Sequence, residues 1–194
     1  FVFYGFFEAP LPYNWIIFLL GVPFLQFFMA PFLRLIGVYK YLTPMTLALV
    51  HSKKSFEIHN GLSIDYLMNM NWSDRGTRVQ KILWLNYFQA FLKLIEMTEN
   101  GLIPKDAEIK GHSYFFNDRT AEKLGFEVKP STFFWKINSI LNGLEIMLLY
   151  SYSQGKWAIP KLTNVKTATT TAENLSQKKE YIRNWIDRLE RELG

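Results

Sequence analysis

The sequence predicts a membrane-anchored α/β (α+β) protein. It has one N-terminal kinked transmembrane or re-entrant helix, a small mixed sheet with two hydrophobic helices, and a C-terminal amphipathic helix. Three observations carry this expectation. Residues 15–33, WIIFLLGVPFLQFFMAPFL, hold no charged side chain. Two long apolar stretches of helical spacing, 77–99 and 132–152, alternate with short strand-like runs near residues 56, 110 and 127. The end of the chain, from residue 173, has a narrow apolar seam flanked by charges. The expected organisation is a membrane segment over 1–40 (helix about 14–36), an α/β domain over 41–160, a Thr-rich connector over 161–172 and a terminal helix over 173–194.

The N-terminal run is long enough to matter. As a helix rising about 1.5 Å per residue it covers roughly 28 Å, close to a hydrocarbon core of about 30 Å. Trp15 stands at one end and Arg34 and Lys40 at the other, the aromatic and basic anchors expected at an interface, while Gln26 is the one strongly polar side chain inside the run. Pro23 and Pro31 each remove a backbone donor, which predicts a kink. Only Glu8 precedes the run, whereas Arg34, Lys40, Lys53 and Lys54 follow it. The positive-inside rule therefore places the remainder on the cytoplasmic side of the inner membrane.

Composition agrees with an apolar partner. Aromatic residues make up 17% of the 194, which suggests surface meeting lipid or protein rather than water. The net charge of +5 arises from Lys and Arg scattered among acids, without the clustered footprint of a nucleic-acid binder. The chain has no cysteine, which excludes disulfides, thiolate metal sites and cysteine nucleophiles.

Residues 41–51 are expected as a strand or interfacial segment, and Phe56–His59 as a strand closed by the turn signal Asn60-Gly61. LSIDYLMNM reads equally as strand or short helix. Thr77-x-x-Gln80 has the form of a capping box opening the first hydrophobic helix, and Asn100-Gly101 marks its end. In the second helix Phe133, Ile137, Ile140, Leu141, Leu144 and Leu148 share one face, while Asn138, Asn142 and Glu145 line another. That is an amphipathic helix for a sheet or a bilayer surface. Thr170-x-x-Glu173 suggests a capping box for the terminal helix, whose seam includes Ile182 and Leu189 with Trp185 nearby, a candidate partner-binding surface.

The candidate chemistry rests on histidines. His59…Asp65 and His112…Asp118 share the spacing His-x5-Asp. Membrane-bound glycerolipid acyltransferases use a similar pair, His-x4-Asp, in which the acid orients the imidazole as a general base toward a hydroxyl. This chain has one residue more in both places and lacks the glycine-rich phosphate-binding block. AEKLGFEV, residues 121–128, is similar to the helix-to-strand joint of the GNAT acetyltransferases, without their pyrophosphate-binding turn. Gly125 has a simpler role as the glycine that ends a short helix. No P-loop, dinucleotide fingerprint, H-E-x-x-H or G-x-S-x-G occurs, and no cofactor or metal is expected. The favoured expectation is an accessory or structural subunit of a membrane protein complex. The alternatives are a membrane-surface transferase, with His112 and Asp118 catalytic and Arg119 or Lys123 holding an anion, or a lipid-binding module.

Overall fold

The structure, a computed structural model, describes Gly21 and residues 32–33, 35–61, 63–71, 73–113, 118–162 and 164–194. The uncharged run, with Trp15, Gln26 and Arg34, lies almost wholly outside the described residues. Lys40 is described and is an exposed residue of the first strand. No helix among the described residues is long and apolar enough to cross a membrane.

Six strands form one mixed sheet: β1 Tyr39–Thr43, β2 Thr46–Ser52, β3 Ser55–Asn60, β4 Glu108–Ser113, β5 Glu127–Pro130 and β6 Lys166–Thr171, in the order β1-β2-β3-β4-β6-β5. The first three make an antiparallel meander, β3 and β4 run parallel, and β6 is antiparallel to both its neighbours. Seven helices are described: α1 Ser63–Asn69, α2 Thr77–Glu99, α3 Asp118–Lys123, α4 Phe133–Leu141, α5 Gly143–Gln154, α6 Ala172–Ser176 and α7 Lys179–Leu193. LSIDYLMNM is thus mostly helical, and α1 with α2 forms the long crossover that a parallel β3–β4 pair requires.

Side chains alternate across the sheet. Ala48, Phe56, Ile58, Ile109 and Ala168 face one side, where Phe88, Phe91, Leu94 and Ile95 of α2 and Ile182, Ile186 and Leu189 of α7 complete the core. The terminal helix therefore buries its seam in its own domain, and Trp185 stacks on Phe88 with ring centroids 5.8 Å apart. On the opposite side the register aligns Tyr39, Leu49, Glu57, Lys110, Thr169 and Glu127 in one row across all six strands.

Several local expectations change. The Thr-rich connector is largely the strand β6, lodged between β4 and β5. Threonine is β-branched and favours strands, and Ala168 gives the core-facing position a side chain small enough to sit fully buried under the helices. The start of α2 at Thr77 holds, but Gly76 at φ 60° occupies its N-cap with no side-chain cap. Gln80 instead donates to the Ser153 carbonyl at 2.8 Å. At the C-terminal end the cap is Thr171, one residue later than expected, accepting from the Asn174 N–H at 3.2 Å. The expected 132–152 helix breaks at Asn142 into α4 and α5, and the terminal one at Gln177–Lys178 into α6 and α7. Gly125, at φ 80°, ends α3 and sends the buried Phe126 into the core as expected.

The α4–α5 unit covers the second face of the sheet. It is pinned to the start of α2 where Gly155 meets Gly76: a Cβ on Gly155 would lie 3.2 Å from the Gly76 Cα, and φ is positive at both. Two glycines let the backbones touch there, and Gly76 N–H donates to the Tyr152 carbonyl at 3.2 Å.

Candidate functional site

All three histidines of the chain converge on one carboxylate. Glu57 and His59, two residues apart on β3, share the second face of the sheet. His51 reaches it from β2 across the Ser52–Ser55 hairpin, and His112 from β4, one residue beyond the Ile58–Gly111 pair. Glu57 Oε2 lies 2.9 Å from His51 Nε2. Its Oε1 lies 2.7 Å from His59 Nε2 and 3.6 Å from His112 Nε2. The Glu57 side chain is only 6% exposed, whereas His51 is half exposed. Oε1 is buried, and His59 Nε2 approaches it closely without the alignment of a hydrogen bond.

Burial alone raises the pKa of the Glu57 carboxyl, but His59, then His51 and His112, overcome that and hold it at about 2. Glu57 is therefore an anion at neutral pH. Burial also dominates at His112, depressing its pKa to about 4; the attraction of Glu57 opposes this, while His59 and Lys110 add to it. His112 is accordingly neutral. Its Nδ1 lies 2.9 Å from Thr167 Oγ1, which is 2.7 Å from Ser131 Oγ. The ring stacks on Trp135 of α4 at a centroid distance of 3.9 Å and 20°.

His59, His112 and Trp135 line a cavity of about 410 Å³ between the sheet and α4–α5. Leu47, Leu49 and Leu149 supply apolar wall, and Asn60, Asn138, Ser139 and Asn142 polar wall. Asn142 Nδ2 donates to the Asn138 carbonyl at 2.8 Å, leaving its buried Oδ1 without a partner. Asn60 Oδ1 accepts from the Tyr87 hydroxyl at 2.5 Å. The volume and the mixed lining are those of a small-molecule site.

The acids singled out by spacing take other neighbours. Asp65 accepts from the Tyr41 hydroxyl at 2.9 Å. Asp118, at the start of α3, is bound through both oxygens by Lys166 Nζ at 2.7 Å. Arg119 and Lys123 are exposed on α3. The acid at His112 is Glu57, which the sequence reading passed over although E-I-H in an alternating strand puts both side chains on one face. Among the described residues no group of three or more His, Cys, Asp or Glu is arranged to hold a metal ion. The three imidazoles address the carboxylate itself rather than a shared centre. Comparison with protein-family models, curated proteins and solved structures finds no match to this chain.

Proposed function

We propose that the cavity binds a small, partly apolar molecule bearing a hydroxyl, and that the Glu57–His59 pair acts on it as a general base. The observation that carries this reading is the buried, ionised Glu57 holding an imidazole at the wall of a cavity of ligand size. With its proton on Nε2 facing Glu57, His59 has Nδ1 available as acceptor, since among the described residues that nitrogen makes no hydrogen bond. The hydroxyl proton passes to Nδ1 as its oxygen attacks an acyl carbon, and Glu57 stabilises the imidazolium until that proton goes to the leaving group. This is the transferase alternative with Glu57 as the orienting acid. His112 is a positioning residue, because its ring is held by Trp135 and Thr167.

The test is turnover of medium-chain acyl thioesters with a medium-chain alcohol as acceptor. His59→Ala is expected to lower the rate about 100-fold or more, the usual contribution of a general base. A His59→Ala protein as active as the parent would exclude the assignment.

A further inference from the structure

The orientation of α4 is inverted relative to what burial alone would select. Its polar residues Asn138 and Ser139, with Asn142 at its C-cap, look into the cavity. Its apolar stripe points away from the protein: Phe133 is 77% exposed, and Ile137 and Ile140, four and seven residues on, are also exposed. Beside it, residues 156–162 fold back along α5, where Ser151 Oγ bonds both the Ala158 N–H and its carbonyl, and Leu162 packs on Gly143. That segment presents Trp157, 70% exposed, and exposed Ile159. Exposed apolar residues grouped in this way mark an interaction surface.

We infer that this face, formed by α4 and residues 156–159, docks on an anionic lipid bilayer. Three features select lipid. Residues 133–161 carry Lys136, Lys156 and Lys161 against the single acid Glu145, a basic stretch suited to anionic headgroups. Trp157 between Lys156 and the exposed Ile159 has the mixed aromatic and basic character of an interfacial anchor. Leu33, where the uncharged run 15–33 ends, lines the cavity together with Phe134 of α4. Leu35 and Ile36, which follow that run, are exposed as well. Phe134 is exposed and borders the cavity at once, so the cavity meets solvent along the edge of α4, beside the docking face. A ligand entering there is a bilayer amphiphile, a statement that rests on the cavity being a ligand site.

The absence of native cysteine permits single-site nitroxide labels. Phe133→Cys and Trp157→Cys would be labelled in the full chain reconstituted into phosphatidylcholine–phosphatidylglycerol vesicles, with Asn184→Cys on α7, across the sheet, as reference. Labels at 133 and 157 are expected to collide with oxygen and to be shielded from a water-soluble nickel chelate, with the reverse at 184. Equal nickel access at all three sites overturns the proposal. So does shielding of 133 and 157 from both quenchers, which would mark a protein partner. Neither result depends on turnover, so docking and the His59 assignment fail separately.

Discussion

Glu57 Oε1 and His59 Nε2 stand 2.7 Å apart on the same face of one strand, inside a shell that leaves the carboxylate almost no solvent. Histidine contacts keep that carboxylate ionised, and the pH dependence of stability should report them. Glu57 is held at about 2, below its ordinary 4.5, so its contribution is complete above pH 4.5 and is lost as pH falls toward 2. His112 is held at about 4, below its ordinary 6.5, so the folded form resists a proton that the unfolded chain accepts. Its contribution is complete above pH 6.5 and is lost as pH falls toward 4. Each shift corresponds to about 3 kcal/mol. Denaturant titrations should show stability declining below pH 6.5, with His112→Gln flattening the limb from 6.5 to 4 and Glu57→Gln the limb below 4.5. Unchanged profiles in both variants would contradict the assignment.

Thr167 bridges His112 Nδ1 and Ser131 Oγ, so one substitution orphans two buried groups. Thr167→Val keeps the shape and removes the bridge. It should cost about 1–3 kcal/mol at pH 7, the range for leaving a buried polar group unsatisfied. A loss below about 0.5 kcal/mol would mean that the bridge does not form.

Asp118 separates the spacing-based pair from the one in the structure. Its carboxylate is half exposed and bound by Lys166, so Asp118→Asn should change stability by no more than about 1 kcal/mol. It should leave any His59-dependent turnover unchanged. A fall in turnover comparable to that of Glu57→Gln would restore Asp118 to the catalytic pair.

Ala168 tests the placement of the Thr-rich segment. It is fully buried on β6 beneath the helical layer. Ala168→Leu adds volume to a packed core and should destabilise by about 1–3 kcal/mol in chemical denaturation. A surface connector would absorb the change without effect.

These residues also mark what the sequence made legible. Strands around Phe56, Lys110 and Val128 and the span of α2 were readable, because alternation, the Asn60-Gly61 and Asn100-Gly101 signals and the 3.6 period all act locally. The strand 166–171 is hidden in the sequence because threonine-rich composition suits an extended connector as well, although β-branching argues for a strand. The turning of α4 was open for a different reason: periodicity separates its two faces but does not say which one meets the protein. The site was half legible. His112 stood out by position, yet its acid lies 55 residues away on β3, a proximity made by the parallel β3–β4 pairing that no linear spacing encodes. The stabilising role of the helix 173–194 was visible in its seam, and only packing on α2 decides between its own core and a partner.

The central claim is that the Glu57–His59 pair serves a ligand in the cavity, and ¹⁵N-histidine NMR of the full chain in lipid nanodiscs tests it most directly. Titration with a medium-chain alcohol should shift the His59 and His112 resonances saturably and leave the solvent-facing His51 far less affected. Glu57→Gln should change the His59 tautomer signature in the free protein. A non-saturating drift of all three histidines, with the His59 signature unmoved by Glu57→Gln, would contradict the claim.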